Sequence, residues 1–152
     1  MKAVIQRVRH ASVTIEGRKA AAIEAGFLIL LGIAAEDERE QAEHLAEKIA
    51  MLRICEDENG KMNKSLLDTD GQALVVSNFT VCADCSHGRR PSFVRAARPD
   101  KGKALYEYFC DCLRAKNVTQ VKTGEFGADM QVALCNDGPV TIVLDTELDA
   151  RH

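Results

Sequence analysis

The sequence contains one run that is apolar on both faces of an extended chain, Phe27-Leu28-Ile29-Leu30-Leu31-Gly32-Ile33. A short apolar run of this kind, preceded by Gly26, predicts a central strand that is buried on both faces. The whole apolar stretch, 26–35, has ten residues, whereas a membrane-spanning helix needs about 20. The run therefore predicts the middle of a sheet and excludes a membrane helix at this place.

The segments around this run combine strands with two helices. Six further segments predict strands: 3–8 and 12–16, which carry β-branched residues in near-alternation, and 73–81, 118–122, 129–135 and 140–144. Asp37, with Glu40 as its capping-box partner, predicts the start of one amphipathic helix, and Pro99 predicts the start of a second. Consecutive strands with inserted helices predict the α+β class. We expect a mainly antiparallel sheet, curled into a barrel-like core, with two principal helices outside it.

Composition indicates a folded protein of modest size. The chain has 152 residues, of which 46% are hydrophobic and 28% charged, and this balance argues against disorder. The length suits a single domain over 1–152. Residues 1–9 alternate polar and apolar side chains, which is typical of a strand and not of a secretory signal. We therefore expect a cytoplasmic protein without a membrane partner.

Charge is distributed unevenly along the chain. Residues 36–58 carry nine acids and three bases, whereas 86–103 carry six bases and one acid. The net charge of −3 argues against a protein that coats long nucleic acid. A local basic segment still fits a phosphate-bearing partner. The alternative is a solvated loop whose bases form ion pairs with the acidic helix.

The usual catalytic and metal-binding motifs are absent from the sequence. No nucleophile elbow, phosphate-binding loop or zinc-protease motif occurs. Cys82 and Cys85 form a C-x-x-C, which fits half of a zinc site or a redox pair, but no second ligand pair has suitable spacing. His44 lies on the acidic helix and His87 lies among arginines, so neither predicts a catalytic base. We expect no metal and no cofactor.

Two polar segments suggest a site. Ser77-Asn78-Phe79-Thr80 lies at the end of a buried strand, where backbone N–H groups become free to bind a ligand. The alternative is a polar strand end with Phe79 in the core. In Asn136-Asp137-Gly138-Pro139, glycine precedes proline, the residue type whose peptide bond becomes cis at modest cost. A plain trans turn is the alternative here.

Six segments in order along nearly the whole chain together resemble one family. They are Met1-Lys2-Ala3-Val4-Ile5-Gln6-Arg7-Val8, Ala11-Ser12-Val13, Gly60-Lys61-Met62-Asn63, Arg90-Pro91-Ser92-Phe93, Phe126-Gly127-Ala128-Asp129-Met130 and Asn136-Asp137-Gly138-Pro139-Val140-Thr141. With them the chain resembles the D-aminoacyl-tRNA deacylases. The tail 145–152 carries no motif of the family.

The resemblance implies a cytoplasmic homodimer that hydrolyses the ester joining a D-amino acid to the 3′-terminal adenosine of tRNA. It implies that Gly138 and Pro139 form a Gly-cis-Pro chirality filter, which reaches across the dimer into the partner's active site. Residues of the substrate pocket and of the tRNA contact follow from the motifs and from the basic segment. The implied catalytic residues are Ser77, Asn78, Phe79 and Thr80; the substrate-binding residues are Arg7, Met130 and Asn136; the tRNA-binding residues are Arg89, Arg90, Arg95 and Arg98. Asn78 is a departure, because the family carries Gln at this place.

This chemistry does not require an acid or base side chain. An aminoacyl ester is already activated, backbone N–H groups can stabilise the oxyanion, and the ribose 2′-OH can position water. Thr80 is then a positioning residue rather than a nucleophile. A main-chain filter would exclude every L side chain, while glycine has no side chain to reject, so glycyl-tRNA should also be cleaved. The alternatives are a non-catalytic tRNA- or RNA-binding module and a thiol protein that uses Cys82 and Cys85.

Overall fold

A computed structural model describes residues 1–149 of the chain. Within this part, eight strands, three α-helices and one 3₁₀ helix are found. The strands are β1 (Lys2–Ile15), β2 (Arg18–Ile23), β3 (Gly26–Gly32), β4 (Cys55–Glu56), β5 (Met62–Lys64), β6 (Gln72–Ser77), β7 (Val121–Thr123) and β8 (Gln131–Asp145). The helices are α1 (Arg39–Ala50), α2 (Pro99–Ala115) and α3 (Thr146–Asp149), and the 3₁₀ helix is Phe79–Cys82.

The main sheet has six strands and is nearly closed. Its order is β2-β1-β3-β6-β7, and β8 also pairs with β1. The pairs made by β1 are antiparallel, whereas β3–β6 and β6–β7 are parallel. The two ends of this order approach each other, because Lys122 Nζ on β7 donates to the Ala22 carbonyl on β2 at 2.9 Å. The predicted α+β class with a barrel-like sheet is confirmed.

The core has two parts, and β3 contributes to both. Phe27, Ile29 and Leu31 pack in the larger cluster with the apolar faces of α1 and α2. Leu28 packs in a second cluster that consists of strand residues. All four side chains are fully buried. The prediction that 27–33 is buried on both faces is therefore confirmed, and the two long helices lie outside the sheet as expected.

Two pairs of predicted strands are each one continuous strand. Segments 3–8 and 12–16 lie largely within β1, and segments 129–135 and 140–144 lie largely within β8. The prediction of separate strands was wrong because β1 and β8 pair with each other along almost their full length. Irregularities in the register on both sides of Val8 accommodate the unpaired residues of both strands, including the turn predicted at 136–139.

Several predicted boundaries also differ from the structure. The strand expected over 118–122 is β7, Val121–Thr123. The strand expected over 73–81 ends at Ser77, because its partner β3 ends at Gly32 and offers no further ladder. The N-cap of α1 is Glu38, whose N–H donates to Gln41 Oε1 at 2.7 Å, and not Asp37. Asp37 instead accepts from the Met1 ammonium group at 2.6 Å.

The structure describes only part of the C-terminal tail. Residues 145–149 end β8 and form α3, and residues 150–152 of the tail lie outside the described part. The single domain over 1–152 stays a prediction. Among the helices within 1–149, none is long and apolar enough to cross a membrane.

Candidate active site

A cavity of about 730 Å³ lies where β6 ends. It is lined by the predicted site residues 77–80 and by Met130, so the structure brings these five residues together. The rest of the lining is mostly apolar, with Phe93 and Phe126 as its other aromatic residues. The volume lies within the range of pockets that hold small ligands.

The end of β6 leaves two backbone donors free at this cavity. Ser77 pairs with Leu31 in the parallel ladder, and the Asn78 N–H donates to the Leu31 carbonyl at 2.9 Å. The chain then turns into the 3₁₀ helix, whose first N–H groups have no partner within the helix. Within 1–149, no hydrogen-bond acceptor is found for the N–H of Phe79 or Thr80. These two groups can therefore bind a ligand oxygen.

The Thr80 hydroxyl group is engaged by a neutral amide. It donates a hydrogen bond to Asn78 Oδ1. A carboxamide is too weak a base to activate a hydroxyl group, and no histidine lines the cavity in the described part of the chain. Two histidines contact residues outside the cavity lining: His44 Nε2 lies 3.1 Å from Asp149 Oδ2, and His87 Nδ1 lies 2.8 Å from Ser86 Oγ. The site thus offers hydrogen-bond donors without a histidine base, and Asp129 is the one carboxylate among the described residues that line it.

Phe79 and Phe93 form an aromatic pair in the cavity wall. Their ring centroids are 5.1 Å apart and the rings are nearly perpendicular, at 76°. Phe79 is 56% exposed, so the alternative in which this side chain packs in the core is wrong. Both rings are partly open to solvent and can contact a planar or apolar ligand group.

Gly138 and Pro139 lie elsewhere, in a bulge of β8. Gln6 pairs with Thr141 and Val8 pairs with Asn136, so the intervening residues of β8 are displaced from the ladder. Gly138-Pro139 is a cis peptide bond, and both residues are exposed. Neither lines the cavity of their own chain. The alternative of a trans turn is wrong.

The backbone at Gly138 admits no larger residue easily. Its φ is +137°, a region that L side chains rarely adopt. A Cβ atom at this position would lie 2.8 Å from Val140 Cγ2 and 3.2 Å from Arg7 Nη2. Close packing and backbone conformation therefore both call for glycine here.

Two of the predicted substrate-binding residues hold this bulge in place. Arg7 Nε donates to the Asp137 carbonyl at 3.0 Å, and Arg7 Nη1 donates to the Ile54 carbonyl at 2.7 Å. Asn136 Oδ1 accepts from the Val140 N–H at 2.7 Å, and Asn136 Nδ2 donates to Gln6 Oε1 at 2.6 Å. Arg7 and Asn136 thus bracket Gly138-Pro139, whereas Met130 lies in the cavity.

Comparison with known proteins decides the family. A family model described as D-Tyr-tRNA(Tyr) deacylase matches residues 4–145. The chain belongs to the D-Tyr-tRNA(Tyr) deacylase family. A D-aminoacyl-tRNA deacylase of Thermosipho africanus is 54% identical over 147 residues, which cover 97% of this chain and 98% of that relative. A D-aminoacyl-tRNA deacylase of Chloroflexus aurantiacus is 59% identical over 146 residues, which cover 96% of this chain and 91% of that relative. The predicted family and the predicted ester hydrolase are confirmed.

Two solved structures have a similar fold. A structure named c-Myc DNA Unwinding Element Binding Protein has a TM-score of 0.91 and 44% identity, and the match covers 95% of this chain and 98% of that one. A probable eukaryotic D-amino acid tRNA deacylase has a TM-score of 0.83 at 15% identity, with the same coverage, and this match supports the fold alone.

The arginines assigned to tRNA binding are exposed in this deacylase. Within 1–149, no ion pair is found for Arg89, Arg90 or Arg98, whereas Arg95 pairs with Glu147 at 2.9 Å. The alternative of ion pairs with the acidic helix therefore fails for these three; in this segment Lys101 makes such a pair, with Glu38 at 3.2 Å. The three arginines remain available to a phosphate-bearing partner.

The C-x-x-C cysteines of this deacylase lie in different environments. Cys82 is buried, and burial raises the pKa of its thiol, whereas Cys85 is exposed. A raised pKa disfavours the thiolate that metal binding and thiol chemistry require. Within 1–149, no group of three His, Cys, Asp or Glu side chains is arranged to hold a metal ion.

Sequence reasoning missed several residues of the deacylase site. Phe93 and Asp129 line the cavity, and Gln6 supports the bulge through Asn136. All three belong to segments that carry the family resemblance. That membership was the available signal, but nothing in their spacing assigned them to the cavity or to the bulge.

Proposed function

We propose that this protein hydrolyses the ester between a D-amino acid and the 3′-terminal adenosine of tRNA, releasing the free amino acid and the tRNA. The observation that carries the proposal is the pair of unpartnered N–H groups, on Phe79 and Thr80, at a cavity that no histidine lines within 1–149. An activated ester needs only a placed water molecule and a stabilised oxyanion. Family membership supplies the substrate class.

The two N–H groups act on the developing oxyanion. Each such donor contributes about 10²- to 10³-fold to the rate when it is fixed in place. The Asn78 N–H bond to Leu31 and the turn at Val81, whose N–H donates to the Asn78 carbonyl at 3.2 Å, fix the backbone between them. The ribose 2′-OH of the substrate positions the attacking water. Thr80 and Ser77 orient polar groups of the substrate and form no covalent bond with it.

Gly138 and Pro139 act as the chirality filter of a second copy of the chain. Both residues are exposed and do not line the cavity of their own chain, which supports a role in a partner's cavity. Their main-chain carbonyls accept hydrogen bonds from the α-amino group and leave no space for an L side chain. Glycine has no side chain to exclude, so glycyl-tRNA is cleaved as well. The active species is then a homodimer with a cross-subunit site.

The exposed arginines of the basic segment contact the tRNA backbone. Arg89, Arg90 and Arg98 carry no intramolecular ion pair within 1–149, which supports this role, and Arg95 can exchange Glu147 for a phosphate. The same observation favours a second candidate, a module that binds nucleic acid without turnover. The name of the relative at 44% identity, a DNA-unwinding-element binding protein, points in that direction.

Incubation with three charged tRNAs separates the two candidates. D-tyrosyl-tRNA and glycyl-tRNA should lose their amino acid, while L-tyrosyl-tRNA should stay intact. Intact D-tyrosyl-tRNA together with measurable tRNA binding would support the non-catalytic module. Equal cleavage of the D and L esters would overturn the filter, and intact glycyl-tRNA would overturn its steric basis.

Subunit mixing tests the cross-subunit site. Gly138→Ala strains the filter, and Ala96→Phe fills the cavity, so each homodimer should be inactive. In a mixed dimer, the intact cavity of one subunit would meet the intact filter of the other. Refolding an equal mixture should restore about a quarter of wild-type activity, since half of the dimers are mixed and each has one intact site. A mixture that stays inactive would contradict the arrangement.

A further inference from the structure

The cavity has a single source of formal charge in its wall. Among the described residues that line it, Asp129 alone is ionisable; the others are apolar, glycine, serine, threonine or asparagine. Asp129 is exposed, so its carboxylate keeps contact with water. A cavity with one carboxylate attracts a cation and repels phosphate or carboxylate groups.

No cation of the described protein neutralises this carboxylate. Within 1–149, Asp129 has neither an ion pair nor a side-chain hydrogen bond, whereas Arg95 and Lys101, on the adjacent segment, pair with Glu147 and Glu38. The backbone around Asp129 is held in place. The Ala128 N–H donates to the Glu125 carbonyl at 3.2 Å, and the Gly124 N–H donates to the Val75 carbonyl at 3.3 Å. Asp129 thus lies at the cavity in a loop that is held by its backbone, and its carboxylate has no partner within 1–149.

The proposed substrate supplies one cation close to the scissile ester, its α-ammonium group. We propose that Asp129 recognises this ammonium group, so that the enzyme selects esters with a free α-amine over esters whose amine is acylated or replaced. The inference rests on the proposed function and names a specificity residue for it. An ammonium group has three N–H donors, so a carboxylate can act beside the two carbonyls assigned to the filter.

Shape and charge select for different properties of the substrate: the filter excludes L side chains, and the Asp129 carboxylate attracts the ammonium group. Main-chain carbonyls are directional and rigid, which suits the reading of configuration at Cα. A carboxylate exposed to water adds attraction without requiring the same precision, and this attraction acts equally on D-aminoacyl and glycyl esters. Removing the charge should therefore weaken binding of both substrates and leave the exclusion of L-tyrosyl-tRNA unchanged.

A substrate pair tests the assignment directly. D-tyrosyl-tRNA is compared with its α-hydroxy analogue, D-4-hydroxyphenyllactyl-tRNA, which keeps the ester and side chain but lacks the cation. Asp129→Asn should raise the KM for D-tyrosyl-tRNA about three- to tenfold, with kcat within about twofold, because an exposed charged contact is modest. The KM for the hydroxy ester should be the same for Asp129→Asn as for the wild-type protein. Asp129→Glu should recover most of the loss.

Glu125→Gln is the matched control, because it removes one carboxylate from the same loop at a residue that does not line this cavity. Glu125→Gln should leave the KM for the amine ester and for the hydroxy ester unchanged. An equal KM increase for the amine and hydroxy esters in Asp129→Asn would mean a structural role and would overturn the proposal, as would an unchanged KM for D-tyrosyl-tRNA. Wild-type protein that fails to cleave D-tyrosyl-tRNA would instead refute the proposed function. Should Asp129→Asn fail to fold, Asp129→Ser decides with the same substrate pair, because it also removes the charge and should raise the KM for D-tyrosyl-tRNA alone.

Discussion

Replacement of Arg7 by methionine separates an anchoring role from a substrate contact. Arg7 is 7% exposed and donates to two main-chain carbonyls, those of Ile54 at 2.7 Å and Asp137 at 3.0 Å. Hydrogen bonds from charged donors contribute about 1.5–3 kcal/mol each. The contacts with the side chains of Glu56, at 3.5 Å, and Asp137, at 3.9 Å, involve well-exposed carboxylates and add little.

Methionine keeps the apolar stem but leaves both carbonyls without their donor. After part of the loss is recovered by water, we expect the free energy of unfolding to fall by about 2–4 kcal/mol. Urea unfolding measures this as a lower midpoint with an unchanged slope. Because the Asp137 carbonyl directly precedes Gly138, cleavage of D-tyrosyl-tRNA should fall as well.

Arg9→Met is the matched control for this substitution. The Arg9 side chain is 74% exposed and reaches Asp137 Oδ1 at 3.5 Å, so its loss should change stability by less than about 0.5 kcal/mol. An Arg7→Met protein with the same urea midpoint as Arg9→Met would refute the anchoring argument. Unchanged stability with a raised KM would instead support the substrate-binding role that the family resemblance implies.

Three further predictions concern other parts of the molecule. Asn136→Ala removes the acceptor of the Val140 N–H and the donor to Gln6, so urea unfolding should show a loss of about 1–3 kcal/mol, and an unchanged midpoint would contradict the bracing role. Thr80→Ala should keep more than about a tenth of wild-type kcat, because the backbone N–H groups remain; complete loss would restore Thr80 as a nucleophile. Burial raises the pKa of the Cys110 thiol to about 12, so above about pH 9 the unfolded chain ionises while the folded chain does not, and stability falls as pH rises. Urea unfolding at pH 8 and pH 10 should show a smaller decline for Cys110→Ala than for the wild type, and an equal decline would contradict this cause.

The sequence predicted those parts of the fold that depend on local patterning. The two-sided burial of 27–33 and the start of α2 at Pro99 follow from hydrophobicity and from the conformation of proline. The extent of β1 did not follow, because its continuity depends on pairing with β8, more than a hundred residues away. The N-cap of α1 was misplaced by one residue for the same reason, since Asp37 accepts from the Met1 ammonium group.

In the candidate site, too, the sequence predicted the residues that depend on local patterning and not those that depend on the fold. Residues 77–80 could be found from sequence, because polar side chains after a buried strand mark a strand end. Phe93 and Asp129 could not be placed, since each reaches the cavity through a loop whose course no local pattern specifies. Asn136 could be singled out as part of a motif, but its hydrogen bonds to Val140 and Gln6 are visible only in the folded chain.

The central strands connect the two parts of the site. β1 pairs with β3 through Ala3–Leu31 and Arg7–Phe27, so these two strands share one fixed register. Leu31 holds the Asn78 N–H at the cavity, and Arg7 holds the Asp137 carbonyl at the bulge. A shift of one residue in this register would turn Arg7 to the opposite face of the sheet, while Leu31 would keep its contact with Asn78 through the pairing of β3 with β6. The position of the bulge relative to the cavity therefore depends on the pairing of β1 with β3, although neither the cavity nor the bulge contributes residues to the other within one chain.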